Sequence, residues 1–189
     1  VVHSATKPHL VRYNERIRLA GKLIEDGLLA ALLKEVLDQS EDLNPSFFEV
    51  TTAATFLAFS RIPADVCVIE VGLGGRFDAT NVMVRPAACG IASLGIDHEA
   101  FLLREDPGAP AHPLARIAFE KAHIARKDSP LVTQAYPPEA TAQVVKIAKA
   151  AGAPVAMRGQ EWTASADTMI HYRDAAGTLD LPLPQLYGN

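Results

Sequence analysis

The 189 residues predict an α/β fold: a mostly parallel sheet flanked by helices, with a small antiparallel hairpin near the carboxyl terminus. Three observations carry this. Short apolar runs alternate with longer amphipathic ones, the rhythm of strand and covering helix. Val66 to Ile69 is a continuous apolar run, the pattern of a parallel strand covered on both faces. Near the end, Met169 to Arg173 and Thr178 to Pro182 alternate around Asp174-Ala-Ala-Gly177, which reads as a hairpin.

Leu23 to Gln39 repeats leucine, isoleucine and valine every three or four positions with Lys, Glu and Asp between them, so a helix is expected. Asn44-Pro-Ser46 is a turn and cap signal, and Phe47 to Ser60 follows as a second helix, stopped with the help of Pro63. Strands are expected at Asp65 to Val71 and Ala88 to Leu94. Arg104 to Pro113, with its prolines and glycine, reads as a loop. Leu114 to Arg126 resumes a helical period. Pro130 to Gln134 is a strand, Pro138 to Ala151 a helix ended by Gly152, and Pro154 to Met157 a further strand.

Composition narrows the class. A chain of 20.3 kDa with 49% hydrophobic residues can bury one sizeable core, and its length suggests one domain. A net charge of −4 argues against nucleic acid as a main partner, because phosphate binding draws on clustered Lys and Arg. Arg12, Arg16, Arg18 and Lys22 are a local basic group, read either as a solvated edge or as a surface facing an anionic substrate. Cys67 and Cys89 lie in apolar runs, where free cysteine behaves as a small buried hydrophobe and suits a reducing compartment. No run is long and apolar enough for a membrane span, so a cytoplasmic, membrane-free protein is expected, as a monomer.

The chemistry centres on the end of the strand at 66 to 69. Glu70 breaks the apolar run, and a carboxylate there needs a cation, a donor or a raised pKa. Gly72, Gly74 and Gly75 let the backbone turn sharply and approach a ligand. They do not spell a dinucleotide fingerprint, since Phe77 stands where its third glycine would be.

The wording Glu70-Val-Gly-Leu-Gly-Gly-Arg-Phe-Asp78-Ala-Thr-Asn81 resembles the signature of the folylpolyglutamate synthase and dihydrofolate synthase family within the Mur ligase superfamily. Pro8-His-Leu-Val-Arg-Tyr-Asn-Glu-Arg-Ile17, Ser93-Leu-Gly-Ile-Asp-His98 and Ile117-Ala-Phe-Glu-Lys-Ala122 resemble three further family motifs in the same order. The resemblance implies the central domain of a P-loop-type ligase that uses ATP and Mg2+ to join L-glutamate to dihydropteroate or to folates. It implies that Glu70 and His98 hold magnesium, and that Lys121 is carbamylated and helps to hold a second metal. Carbamylation requires a neutral amine. By the same resemblance Asp78 contacts the pterin, and the segment Phe47 to Thr52 lies beside it, with Phe48 stacking and Glu49 or Thr51 hydrogen-bonding. Glu70, His98 and Lys121 are expected to converge on one cleft.

Each residue also has a plainer reading. Glu70 can pair with Arg76, His98 can cap the next helix, and Lys121 can be a solvated helix residue. Asp78 can close an Asx-type turn with Thr80 or Asn81, and the 47 to 52 segment can be a core-facing helix start. Lys7 departs from the family pattern, which has a serine reaching magnesium there; His123 replaces a usual glycine, and the proline-rich stretch before Lys121 is long. The glycine-rich phosphate loop of the family is not found, and Leu186 to Asn189 resembles the start of the motif leading to its carboxyl-terminal domain. An incomplete central domain, inactive by itself, is therefore expected. The alternatives are a Mur-type ligase for another acceptor, or a non-catalytic α/β module binding a nucleotide or metabolite.

Overall fold

The computed structural model describes residues 1–104 and 106–184, so the motif at 186 to 189 lies outside the described residues. The chain divides into two compact units, Val1–Val82 and Met83–Asn189.

In the first unit, β1 (Val2–Ala5), β2 (Ile17–Leu19), β3 (Lys22–Leu23) and β4 (Val66–Ile69) form a sheet in the order β3-β2-β1-β4. β1 and β4 pair in parallel, while β1 with β2 and β2 with β3 pair antiparallel. The β2–β3 turn places Ala20 and Gly21 at φ 52° and 78°, the geometry of a tight two-residue hairpin. His3 on β1 is fully buried. Its Nδ1 accepts from Ala20 N–H at 3.0 Å and its Nε2 faces Ile62 C=O at 3.0 Å, so one ring with its proton on Nε2 satisfies both neighbours.

Helix α1 (Asp26–Gln39) begins later than the periodicity suggests, because Leu23 belongs to β3. Helix α2 (Phe47–Arg61) opens on a capping box: Glu49 N–H donates to Ser46 Oγ, and Ser46 N–H donates back to the Glu49 carboxylate at 2.7 Å. Ala54 and Ala58 of α2 pack with Leu29 and Leu32 of α1 on Ile17 and Ile24. β4 departs from expectation. Among the described residues it lies at the sheet edge with Val66, Cys67 and Val68 exposed, not covered on both faces, while α1 and α2 pack on Ile17 and Ile24.

In the second unit, β5 (Cys89–Ile91), β6 (Leu131–Thr133) and β7 (Val155–Met157) form a wholly parallel sheet in the order β5-β6-β7. A one-turn helix α3 (Glu99–Leu102) follows β5, then α4 (Pro113–Ala122) and, after β6, α5 (Pro138–Ala151). Ala118 and Ala122 of α4 and Val144 and Ala148 of α5 pack with Leu131 and Ile91 in one core. Proline opens both longer helices and Gly152, at φ 73°, closes α5. α4 stops at Ala122 and not at Arg126. The His123 ring meets the Phe119 carbonyl at 2.7 Å, and the Ile124 and Ala125 N–H groups donate to the Lys121 and Ala122 carbonyls at 3.3 and 2.9 Å, so these carbonyls of the last turn are satisfied without further helix.

The carboxyl-terminal hairpin is a three-stranded antiparallel sheet: β8 (Trp162–Ala166), β9 (Met169–Asp174) and β10 (Gly177–Pro182), with β9 central. His171 on β9 bonds Asp180 through Nδ1 at 2.7 Å and Asp167 through Nε2 at 3.1 Å. Two carboxylates on opposite ring nitrogens favour the imidazolium, so His171 titrates above its ordinary value. The Met169 N–H, then His171, hold Asp167 down to about 2. The stabilisation from His171 is therefore complete below the ordinary histidine pKa of about 6.5 and is lost as pH rises through its raised value. The Asp167 part is present above an ordinary value of about 3.8 and is lost as pH falls toward the depressed one. An NMR titration of the His171 ring is expected to show a midpoint above about 6.5; one at or below it would refute the paired arrangement.

Candidate functional site

The parallel ladder continues past β4, since Glu70 N–H donates to Ala5 C=O at 2.9 Å. This puts Glu70 at the carboxyl end of a parallel pair, where open α/β sheets present ligand-binding groups. Its exposed carboxylate takes the Lys7 backbone N–H on Oε2 at 2.6 Å, and its carbonyl takes the Lys7 ammonium at 2.6 Å. The sequence reading that paired Glu70 with Arg76 does not hold: the Arg76 guanidinium lies 4.6 Å from the Phe77 ring centroid, and Glu70 is engaged by Lys7. Burial lowers the Lys7 pKa, while Asp78 and Glu70 act to raise it.

Asp78 organises the glycine turn. One oxygen accepts from Gly72 N–H at 3.0 Å and Leu73 N–H at 2.8 Å; the other accepts from Thr80 N–H at 2.9 Å and Thr80 Oγ at 2.6 Å. The turn-closing reading with Thr80 is thus realised in the structure. A side chain at Gly72 would have to displace the Phe48 ring, because a Cβ there would sit 2.4 Å from Phe48 Cζ and 3.0 Å from Asp78 Oδ2.

Phe48 is the ring beneath Lys7, with the ammonium 5.2 Å from its centroid. Glu49 is committed to the capping box, and its bonds from Ser46 hold its carboxyl below the ordinary range. Thr51 is buried and returns its hydroxyl to the Phe47 carbonyl at 2.9 Å, one turn back in the helix. Lys7, Tyr13, Arg16, Thr51, Thr55 and Thr80 line a small cavity of about 20 Å3, room for about one water. Of these, Thr55 escaped the sequence reading. The pair at 51 and 55, one turn apart on a helix, is the signal that a polar stripe faces inward.

In the second unit, His98 occupies the N-cap position of α3 in the left-handed region at φ 54°, yet its side chain caps nothing. The exposed ring lies 3.7 Å from the Asp97 carboxylate. Lys121 lies in the last turn of α4, half-buried. Beside it Glu120 is buried in an ion pair with Arg116 at 3.1 Å, and Arg116 reaches Asp106 at 3.4 Å, tethering the proline-rich segment to α4. No group of three or more His, Cys, Asp or Glu side chains is gathered for a metal among the described residues.

The Glu70 donor set still suits magnesium. Its Oε1 takes no hydrogen bond from a described residue, and Mg2+ commonly uses one or two carboxylates with water and phosphate oxygens completing the shell. No described helix is long and apolar enough to cross a membrane.

No family model matches the chain. A dihydrofolate synthase/folylpolyglutamate synthase of Escherichia coli (strain K12) is 35% identical over 181 residues, 95% of this chain and 40% of that protein. Among solved structures, E. coli FolC in complex with DHPP and ADP superposes with a TM-score of 0.86 at 34% identity, over 97% of this chain and 42% of that one. A Yersinia pestis bifunctional folylpolyglutamate synthase/dihydrofolate synthase complexed with AMPPNP and Mn ion gives 0.84 at 28% identity, over 98% of this chain and 43% of that one. The chain thus spans about two fifths of the length of the E. coli relative.

Proposed function

Since the chain belongs to the folylpolyglutamate synthase/dihydrofolate synthase family, we propose that the whole protein is an ATP-dependent ligase joining L-glutamate to dihydropteroate, to folates, or to both. The observation that supports this most is the end of β4, where Glu70 leads into a glycine turn drawn tight by Asp78. The Escherichia coli neighbour was solved with DHPP and ADP, and a further structure of a bifunctional enzyme holds Mn, AMPPNP and L-glutamate.

In the proposed reaction the substrate carboxylate oxygen attacks the γ-phosphorus of ATP, ADP leaves, and an acyl phosphate forms. The glutamate amine then attacks the acyl carbon, inorganic phosphate leaves, and the nitrogen loses its proton to give the amide. Magnesium, when bound, supplies positive charge against the transferring phosphoryl group. Glu70 is the metal ligand proposed in the first unit, and His98 and carbamylated Lys121 are those proposed in the second. The open Glu70 oxygen anchors by charge, and the imidazole of His98 adds a neutral donor. Phe48 offers a face to the pterin. Asp78 holds the Gly72 and Leu73 amides in place, so its part in pterin recognition is to shape the turn as well as to touch the ring. Thr51 lies along the same cavity, while Glu49 contributes by fixing the start of α2.

Expected of the whole protein, given ATP, Mg2+, L-glutamate and dihydropteroate, is release of ADP with a glutamylated product. Glu70→Gln should lower turnover by roughly 100-fold or more, as loss of a group that acts on transition-state charge does. The Lys121 peptide of the same preparation, kept in bicarbonate, should carry the mass of one added carbon dioxide. Turnover with a different acceptor only would favour another ligase of the superfamily.

A further inference from the structure

Lys7 is held at three points around Glu70. Its backbone N–H meets Glu70 Oε2 at 2.6 Å, its ammonium meets the Glu70 carbonyl at 2.6 Å, and that ammonium stands 5.2 Å from the Phe48 centroid. Phe48 in turn is confined by Gly72, whose missing side chain leaves the space the ring fills. The arrangement fixes a unit positive charge on the Glu70 carbonyl, at the end of a parallel strand pair. A lysine that merely aided solubility would extend into water; this one is half-buried and lines the same cavity as Thr51 and Thr80.

We propose that Lys7 is a built-in cation of this site that tunes metal binding: its ammonium competes electrostatically with a divalent ion for the Glu70 corner and so lowers the affinity there. This rests on the reading of Glu70 as a metal ligand. The physical argument is Coulombic. A divalent ion on Glu70 Oε1 would lie near a fixed ammonium, and two such like charges several ångströms apart repel even in solvent-like surroundings. Removing the lysine charge should therefore tighten binding by about tenfold, the effect of repulsion near a kilocalorie per mole.

The test is titration of the purified chain with Mn2+ alone, following the free ion by electron paramagnetic resonance. Lys7→Met removes the charge and keeps a stem over Phe48; Lys7→Gln removes the charge and keeps a donor for the Glu70 carbonyl; Lys7→Arg keeps the charge. The first two are expected to bind Mn2+ about tenfold more tightly than the parent, and K7R to stay near it. Glu70→Gln should weaken binding in the parent and in K7M alike. Equal affinity in the parent, K7M and K7Q, with E70Q still weakening both backgrounds, overturns the role of Lys7 and leaves Glu70 as a ligand. An affinity that E70Q does not change overturns the assignment of Glu70, and no uptake by any variant overturns both.

Discussion

Leu131→Ala is expected to destabilise the second unit by about 3 to 5 kcal/mol, near the upper end for a buried leucine. Leu131 has no exposed surface and begins β6, the middle strand of the parallel sheet. Its backbone is paired on both sides, opposite Cys89 of β5 and Val155 of β7, so the strand cannot shift to fill a hole. The side chains packed with it include Ala118, Ala122, Ala140 and Ala148, which are too short to reach inward. A site that cannot collapse loses the transfer energy of the removed atoms and keeps most of the cavity. Val132 alternates to the other face and is 37% exposed, so Val132→Ala provides the contrast, at about 1 kcal/mol. Urea unfolding followed by circular dichroism reads both. A loss below about 1.5 kcal/mol for Leu131→Ala would contradict the packed core described above.

The second large effect is on binding and arises from one atom. Gly72→Ala introduces a Cβ 2.4 Å from Phe48 Cζ and 2.9 Å from Phe48 Cε2, closer than carbon atoms pack, with the Asp78 carboxylate at 3.0 Å on another side. The ring is the part that can yield. Its displacement takes away the face beneath the Lys7 ammonium and the surface proposed for the pterin. Moving the turn would instead break the bonds from Gly72 and Leu73 to Asp78. The expected stability cost is about 1 to 3 kcal/mol, typical of overpacking. In the whole protein the affinity for dihydropteroate should fall by tenfold or more, a loss of about 1.4 kcal/mol or more, because the ring that would stack on the pterin is displaced. Calorimetric titration with dihydropteroate measures it, and unchanged affinity would remove Phe48 from the pterin site.

The local features of the fold were legible because their causes lie within a few residues. Helix α5 runs from Pro138 to the Gly152 cap as the sequence suggests, and the Ser46 signal opens α2 through a bond to Glu49 three positions on. The hairpin of β9 and β10 follows from alternation and from Asp174, whose carboxylate takes the Ala176 and Gly177 amides. Strands β1, β2, β3 and β8 were missed. β1 is four residues, Val-His-Ser-Ala, with two polar side chains among them, and no period is visible over so short a span. Its burial depends on partners far along the chain: β4 alongside, and the Ile62 carbonyl that takes up His3.

The candidate site divides in the same way. Glu70, Asp78 and the glycines between them were readable as a turn at a strand end. That Asp78 would spend both oxygens on the amides and hydroxyl of its own loop was open until the backbone was placed. Glu49 is expected as a pterin partner, and one of its two carboxylate oxygens takes the Ser46 amide and hydroxyl at the start of α2. Cys67 was read as a buried strand residue and is exposed, since an apolar run states what can be covered and not what covers it.

By itself the sequence determined where α1, α2, α4 and α5 lie, the caps of α2 and α5, the hairpin, the glycine turn after an acid, and the wording that identifies the family. Only the tertiary structure decided that β4 is an edge strand, that His3 is buried and bonded, and that Lys7, 63 positions from Glu70, lies against it. The reason is range. Helix caps, turns and periodicity are fixed by bonds between near neighbours, whereas burial and ion placement depend on which distant segments the folded chain brings together.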